Sequence, residues 1–367
     1  MLVSPNKMPP MRAARIALAS ACLLAAVVLA GCGGGSDSSG STAAGTITAK
    51  SRQASPASAF PATEGRSLGD LINATDTHSE LIVSPAAQVF YPGPNRYPFG
   101  IYEHNGPQDS EAEVAIYMSK VPTPKPGSSK PGSKGKVAEA EVRALDQPAI
   151  GPFPAKIESL AAKPQFQGAT TTEDPDATAV VYSTEIDFPS AGKWRIAAVI
   201  KEGDETTAAL MQSAEVGAFT EVPRVGQQAP RISTPTAQDV GGDLSKITTR
   251  IPPDDMNRVD YSEALGKEPI LLLFATPQFC QSRVCGPVVD VAQQVERETA
   301  GKAAFIHMEI YNHNDPNAGV RPQVRAFNLP SEPWLFAINR EGVISSTVEG
   351  AFGTKLMGEV VNKVVSE

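Results

Sequence analysis

The sequence predicts two folded domains of different class, an all-β domain followed by an α/β domain. Its 367 residues exceed the roughly 100–200 residues of a typical single domain. Between residues 69 and 217, short apolar or alternating strands are broken by Pro, Gly, Asn and Asp, and no segment sustains a helical period. From residue 225 onward, strands alternate with helical segments, which is typical of a mixed sheet packed against helices.

Charge and motif content exclude several functional classes. The chain has 32 Lys and Arg against 40 Asp and Glu, a net charge of −8. This balance offers no basic excess for a phosphate backbone, so no nucleic-acid partner is expected. The sequence contains no Gly-rich phosphate loop, no G-x-S-x-G elbow and no H-E-x-x-H helix. Neither nucleotide binding nor hydrolysis is therefore predicted.

Residues 1–31 predict an export signal. Basic residues without any acid precede an apolar run over residues 16–30, which is too short to span a bilayer comfortably. The run closes with Leu29-Ala30-Gly31-Cys32, which resembles the lipobox of bacterial lipoproteins. The resemblance implies cleavage before Cys32, its acylation, as by palmitate, and attachment to the lipid bilayer at the extracytoplasmic face of the cell membrane. Cys22 would leave with the signal.

Residues 32–68 predict a flexible linker. Gly, Ser, Ala, Thr and Pro dominate the stretch after Cys32, and such a composition buries too little apolar surface to order itself. A linker of this length has an r.m.s. reach of roughly 30 Å. The folded domains would then stand clear of the lipid headgroups.

The all-β domain is expected over residues 69–224, with a cationic Pro/Gly/Lys loop at residues 122–136. Within the segment 111–119, Val114, Ile116 and Met118 alternate with other residues and predict a half-buried strand. Further strands are expected at 79–91, 99–103, 180–188 and 193–201. The strand, turn and strand at 188–196 resemble a hairpin of small bacterial immunoglobulin-like sandwiches. This resemblance implies an immunoglobulin-like fold, here without an inter-sheet disulfide because the domain has no Cys.

The α/β domain is expected over residues 225–367. The apolar run 270–275 predicts a strand buried on both faces. A loop then leads to Cys285-Gly286-Pro287, where a helix begins with Pro in its first turn. Further strands are expected at 303–311, 334–338 and 343–348, with a terminal helix at 354–365.

Three features of this region together resemble the membrane-tethered extracytoplasmic branch of the thioredoxin-like superfamily. They are the entry at 225–230, the strand-Cys-loop-Cys-helix unit, and Ser331-Glu332-Pro333-Trp334 with the turn at 339–342. The resemblance implies a redox-active pair, Cys280 and Cys285, and a cis Pro333 that faces it. Pro333, Glu332 and Phe279 would then shape a substrate groove.

The cysteine spacing departs from the family pattern, in which two residues separate the pair and not four. Five steps along a helix turn the chain by about 500° and advance it by about 7.5 Å. Cys280 and Cys285 can therefore bond only if Cys280 lies in the loop before the helix. Two alignments stay open. Cys285 is either the first cysteine of the family turn, with Val288 in place of the second, or Phe279-Cys280 occupies the place of the family's Trp-Cys.

Thiolate chemistry favours Cys285 as the nucleophile. A helix N-terminus and the nearby Arg283 both stabilise a thiolate, so the pKa of Cys285 should fall below that of a free thiol. Cys280 would resolve the mixed disulfide, and the partner would be a protein thiol or disulfide. Two departures oppose this reading: strand 270–273 lacks the buried acid of the family, and Glu332 replaces a small or β-branched residue.

Two alternative functions remain. A permanent disulfide would make the domain a stapled, non-catalytic adaptor, which an oxidising compartment permits. Sco-type copper chaperones share the fold and a Cys pair, and two thiolates with a third imidazole ligand suit Cu(I). Their His has no counterpart between Asn328 and Phe336, and His313 is a better spare ligand than His307. No metal site and no cofactor are expected otherwise.

Overall fold

The computed structural model describes residues 49–104, 106–123 and 134–367. The predicted signal peptide, Cys32 and the first part of the linker lie outside these residues, as does most of the cationic loop. The chain divides into two units, Met1–Ala43 and Ala44–Glu367, and the second contains every described residue. Among the described residues, no helix is both long and apolar enough to cross a bilayer.

The first half of the described chain is predominantly β-sheet. Its strands are β1 (Thr77–His78), β2 (Ile82–Pro85), β3 (Gly93–Tyr102), β4 (Glu113–Lys120), β5 (Ile150–Pro154), β6 (Lys156–Ser159), β7 (Val180–Phe188), β8 (Gly192–Glu202), β9 (Glu205–Leu210) and β10 (Ala214–Val216). Its α-helices are α1 (Leu68–Asn73), α2 (Lys134–Arg143) and α3 (Ala169–Thr172). The predicted strand 180–188 is confirmed by β7.

Two sheets enclose one core in this half. One sheet has the order β1-β9-β8-β4-β5, with β10 also paired to β8, and the other has the order β2-β3-β7-β6. Neighbouring strands are antiparallel except for β1 and β9, which are parallel. Ile116 and Ile196 from the first sheet and Phe99 and Tyr182 from the second bury their side chains in the same cluster. The sheets therefore pack face to face.

Strand β4 is buried on both faces, so the prediction of a half-buried strand was wrong. Val114, Ile116 and Met118 do share the core-facing side. The opposite side is covered as well, because Ala115 and Tyr117 pack in a second cluster. The residues that cover it come from the chain N-terminal to the sheets: Phe60, Leu68 and Leu71.

Residues 49–68 of the predicted linker contact the sheets, although most side chains before Phe60 are exposed, so the linker prediction was wrong for this part. Arg52 forms an antiparallel bridge with Ile157. Ser67 caps helix α1 through a reciprocal capping box with Asp70, which satisfies two otherwise unpaired backbone N–H groups. A few apolar residues in a small-residue segment are enough to fix it, because an open sheet face lies beside it.

Helix α2 lies where only strands and a loop were expected. It begins at Lys134, within the predicted cationic loop. Ala140 packs with Val121 and Ala144 in a small buried cluster. Its sequence is rich in Ala, Glu and Lys, which favour helices, but its apolar side is too short to give a clear helical period.

The second half alternates helices and strands. Its elements are α4 (Tyr261–Ala264), β11 (Ile270–Phe274), α5 (Cys285–Thr299), β12 (Ala304–Met308), α6 (Pro322–Ala326), β13 (Trp334–Ile338), β14 (Ile344–Glu349) and α7 (Thr354–Ser366). The sheet order is β12-β11-β13-β14. Strand β11 is parallel to β12 and antiparallel to β13. The predicted strands and the two long helices of this half are confirmed within a few residues.

This sheet is covered on both faces. Leu271 and Leu273 point to the side that packs against α5 and α7. Leu272 and Phe274 point to the other side and pack against Phe327 among other residues. The continuous apolar sequence of β11 follows from this burial on both faces.

Candidate redox site

Cys280 and Cys285 form a disulfide, with 5.9 Å between their Cα atoms. Cys285 is the first residue of α5, and Cys280 lies in the loop that connects β11 to that helix. This placement meets the geometric condition derived from the spacing, because the two residues do not share a helix.

Both sulfur-bearing residues are buried. Cys285 is 0% exposed and Cys280 is 5% exposed, while Gln281, Ser282 and Arg283 between them are exposed. Cys280 Sγ lies 3.4 Å from Ser282 Oγ. Cys285, the predicted nucleophile, is thus the less accessible of the two, and a partner would reach Cys280 first.

Arg283 is predicted to lower the pKa of Cys285. In the structure its guanidinium group pairs with Asp174, a residue that the sequence did not suggest. Its Nη1 lies 3.0 Å from Asp174 Oδ2, and 51% of its side chain is exposed. Its backbone has φ 56°, a left-handed conformation that turns the chain between the two cysteines. The effect of Arg283 on a reduced Cys285 stays a prediction.

Pro333 lies beside the start of the disulfide loop. The Glu332–Pro333 peptide bond is cis, as the family resemblance implied, and Pro333 is buried. Trp334 pairs with Phe274 in the antiparallel register of β11 and β13. This register places Pro333 next to Ala275, the residue that begins the path toward Cys280.

Tyr311 connects the other two predicted groove residues. The Phe279 ring meets the Tyr311 ring edge-on, with 6.3 Å between centroids. Burial raises the pKa of Tyr311, and the nearby Glu332 carboxylate raises it further. Burial also raises the pKa of Glu332 itself. An aromatic pair and one acid therefore border the loop.

A buried ion pair lies behind the loop. His307 Nδ1 is 2.7 Å from Asp254 Oδ2, and His307 Nε2 is 3.1 Å from the Ala275 carbonyl oxygen. Both partners of the imidazole are acceptors, so both ring nitrogens carry a proton. Burial by itself would lower the pKa of His307, but the charge and hydrogen bond of Asp254 raise it above its ordinary value.

Glu309, the residue directly after β12, also contacts the segments that hold this loop. Its Oε1 accepts from both the backbone N–H and the hydroxyl of Thr249, each at 2.6 Å. The Thr249 hydroxyl in turn accepts from the Gln278 N–H at 3.2 Å. Strand β11 does lack a buried acid, but Asp254 and Glu309 supply buried acids from neighbouring segments.

The sequence reasoning missed this group. His307 lies on the predicted strand 303–311 and is 0% exposed, but its partners were not foreseen. The alternation of His307 and Glu309 on one face of a predicted strand was the available signal, because ionisable residues facing a core need partners.

The segment 166–178, between β6 and β7, lies over the disulfide loop and the start of α5; we call it the cover. Thr178 donates from its N–H to the Arg283 carbonyl oxygen at 3.2 Å. Its hydroxyl donates to the Ser282 carbonyl oxygen, also at 3.2 Å. A Cβ on Gly286 would lie 2.8 Å from Thr171 Oγ1, so the cover touches the helix backbone beside Cys285.

A second buried ion pair fixes the cover to α5. Arg250 Nε donates to Asp290 Oδ1 at 2.8 Å, and the two side chains are 3% and 1% exposed. Arg250 Nη2 also donates to the Phe166 carbonyl oxygen at 2.6 Å, and the Gly168 N–H donates to the Asp290 carboxylate. Burial raises the pKa of Asp290, which Arg250 opposes.

Within the described ranges, no group of three or more His, Cys, Asp or Glu residues is arranged to hold a metal ion. His313, the spare ligand of the copper hypothesis, is exposed on a turn with φ 55°. The copper hypothesis stays a prediction.

No protein-family model matches the chain, and no curated protein matches it. Among solved structures, a thiol:disulfide interchange protein of the thioredoxin family from Chlorobium tepidum TLS is 17% identical. The match covers 39% of this chain and 97% of the Chlorobium chain, with a TM-score of 0.27. A DUF4784 family protein from Bacteroides caccae ATCC 43185 is 10% identical over 43% of this chain and 32% of that chain, with a TM-score of 0.17. These scores are too low to carry a functional argument.

Proposed function

We propose that this protein is a membrane-anchored, extracytoplasmic thiol-disulfide oxidoreductase-like protein that exchanges disulfides with a protein partner. In this proposal, Cys32 carries the lipid anchor and residues 69–224 form an immunoglobulin-like sandwich. Residues 225–367 form a thioredoxin-like domain that holds the redox pair. The boundaries follow the sequence patterns, with the linker shortened to the residues before 49.

One observation carries the proposal: the Cys280–Cys285 disulfide closes at the N-terminus of α5. A helix N-terminus stabilises the thiolate that leaves when a disulfide is attacked. The sulfur that gains most from this position is Cys285, at the first position of the helix.

The exchange balances as follows. A partner thiolate attacks Cys280 Sγ, the Cys280–Cys285 bond breaks, and its electron pair stays on Cys285 as a thiolate, which takes up a proton from solvent. A second partner thiolate then attacks the partner's sulfur in the mixed disulfide, and Cys280 leaves as a thiolate that takes up a proton from solvent. The partner leaves as a disulfide, having lost two electrons and two protons. The reverse sequence begins with attack by the Cys285 thiolate on a partner disulfide, as the sequence analysis predicts.

A second function, a disulfide-stapled adaptor, is favoured by one observation: both cysteines are buried. A reduction potential separates the two functions. A value below about −300 mV indicates a structural bond, and a more oxidising value indicates exchange.

The exchange proposal predicts which variant traps a partner. In Cys285→Ser, Cys280 has no resolving thiol, so mixed disulfides should accumulate at Cys280. In Cys280→Ser, they should accumulate at Cys285 if that thiolate is the nucleophile. The measurement is non-reducing electrophoresis of cells that express the full chain, followed by peptide mass spectrometry that distinguishes Cys280, Cys285, Cys22 and Cys32.

The double variant Cys280→Ser/Cys285→Ser is the matched control and should trap nothing at this site. If neither single variant yields adducts and the potential lies below about −300 mV, the exchange proposal is wrong and the adaptor remains. Titration of the reduced full chain with Cu(I) tests the carrier hypothesis, which requires tight binding of one ion that either Cys substitution abolishes.

A further inference from the structure

We infer that the cover, segment 166–178, is a conformational gate: the disulfide is closed to reductants while the cover is bound, and reduction loosens the cover. This inference rests on the proposed function, since it describes how access to the same cysteine pair is controlled. The cover belongs to the connection between β6 and β7, so a loop of the first half of the protein closes a site in the second.

Burial shows that access needs a motion. Attack on a disulfide requires a thiolate in line with the sulfur–sulfur bond, and the two cysteines are 5% and 0% exposed. The neighbouring Gln281, Ser282 and Arg283 are exposed, so the loop reaches the surface and the sulfurs do not.

The C-terminal end of the cover contacts the loop that the disulfide closes. Thr178 binds the carbonyl oxygens of Ser282 and Arg283, and Asp174 pairs with the Arg283 side chain. Both carbonyl groups belong to residues enclosed between Cys280 and Cys285. The cover therefore recognises the loop in the shape that the disulfide gives it.

The cover has a fixed end and a releasable end. At residues 166 and 168 it is held by the buried Arg250–Asp290 pair, whose disruption would leave a buried charge unpaired. At residues 174 and 178 it is held by an ion pair that is 51% and 20% exposed and by two hydrogen bonds. Exposed pairs of this kind are weak, so the end nearest the disulfide loop opens first.

Reduction of the disulfide should in turn weaken the contacts of the cover with the loop. When a dithiol reductant attacks Cys280 Sγ, the Cys280–Cys285 bond breaks and Cys285 receives the electron pair and a proton. The second thiolate of the reductant then closes its own disulfide and frees Cys280. The loop 281–283 loses its covalent closure, and with it the fixed positions of the two carbonyl oxygens that Thr178 binds.

The test is the rate of disulfide reduction by dithiothreitol in the full chain, followed by alkylation and mass spectrometry of Cys280 and Cys285. The double variant Asp174→Asn/Thr178→Val removes the ion pair and the hydroxyl contact, and its rate should rise about tenfold, which corresponds to a barrier lower by about 1.4 kcal/mol. Asp176→Asn is the matched control, because Asp176 is an exposed acid of the same segment and should keep the wild-type rate.

An unchanged rate in the double variant, or an equal acceleration in Asp176→Asn, overturns the gate. A second measurement keeps the inference testable if the double variant folds poorly: amide hydrogen exchange of wild-type residues 174 and 176–178 should be faster in the reduced than in the oxidised protein, and equal rates contradict the inference. Dithiothreitol needs no protein partner, so failure of partner trapping and failure of the gate are separate results.

Discussion

At the scale of single residues, the buried His307–Asp254 pair is a source of pH-dependent stability. Burial by itself would raise the pKa of Asp254, but the charge and hydrogen bond of His307, together with hydrogen bonds from Thr248 and Met256, lower it to about 2. Asp254 in turn raises the pKa of His307, although burial acts in the opposite direction. Thr248 completes the network by donating its hydroxyl to Asp254 at 2.7 Å.

The raised pKa of His307 predicts that the protein loses stability as pH rises. The stabilisation is complete below pH ~6.5, the ordinary value for histidine, and is lost as pH rises through the higher pKa of the folded state. The stabilisation from Asp254 is present above pH ~4 and is lost as pH falls toward about 2. Chemical unfolding of the wild type between pH 5 and 9 should show the first effect.

The substitutions that test this pair are Asp254→Asn and His307→Gln, singly and together. Each single change leaves one buried charge without its partner and should cost about 3–5 kcal/mol. The loss of unfolding free energy in the double variant should be smaller than the sum of the two single losses. The stability of the double variant should also no longer decline above pH ~6.5. His307→Gln has a matched control in His313→Gln, at an exposed turn, whose pH profile should match that of the wild type. A wild-type-like decline in the double variant would contradict the assignment.

At the scale of elements, the two long helices of the second half each contain a glycine, in different surroundings. Gly286 is the second residue of α5, and an added Cβ there would lie 2.8 Å from Thr171 Oγ1. Gly358 lies within α7, and an added Cβ there would meet nothing within 4 Å. Glycine is therefore required at position 286 because the cover approaches α5 closely there, and not because of the helix itself.

The same substitution should therefore have opposite effects in the two helices. Gly358→Ala should stabilise the protein by about 0.5–1 kcal/mol, because Ala favours the helix. Gly286→Ala should destabilise it by about 1–3 kcal/mol, because the new methyl group overpacks against the cover. Adding Thr171→Ala to Gly286→Ala should recover part of the loss, and denaturant unfolding measures each difference. Equal effects at both glycines would show that the cover does not press on α5.

At the scale of the whole molecule, the two halves meet through backbone and carboxylate contacts. Glu349, the last residue of β14, accepts from the N–H groups of Gln88 and Val89 at 2.8 and 2.9 Å. Arg96 of β3 donates to the carbonyl oxygens of Glu349 and Ala351 at 3.3 and 2.7 Å. A cleft of about 410 Å³ also lies at this boundary, with Trp334 and Glu349 among its lining residues.

These contacts predict that the two halves unfold together. The chain has two Trp, Trp194 in β8 and Trp334 in β13, so each Trp→Phe variant leaves a reporter in one half. The two reporters should show coincident denaturant transitions. Glu349→Ala leaves two backbone N–H donors without an acceptor, which should destabilise the protein by about 1–3 kcal/mol for each donor. The two transitions should then separate, or both midpoints should shift to lower denaturant concentration. Glu359→Ala, on the exposed side of α7, is the control, and identical curves for both variants would contradict the prediction.

The sequence predicted the elements of the second half well because their apolar patterns are strong and local. Strand β11 is apolar at every position, and α7 repeats its buried residues with helical spacing. Cys280 and Cys285 were also identified by their number and position, since the folded domains hold no other cysteine. The first half was predicted less well, because helices α1 and α2 are short and α2 carries few apolar residues.

By itself, the sequence determined the order of strands and long helices in the second half, the cysteine pair, and the requirement that Cys280 lie before the helix. Only the tertiary structure decided that both cysteines are buried, that Asp174 and Thr178 contact the loop between them, and that Asp254, His307 and Glu309 form buried hydrogen bonds beside that loop. The physical reason is distance along the chain. More than 100 residues separate Thr178 from Ser282, and 53 separate His307 from Asp254. Such pairs leave no periodic pattern in a sequence and arise only when packing brings the segments together.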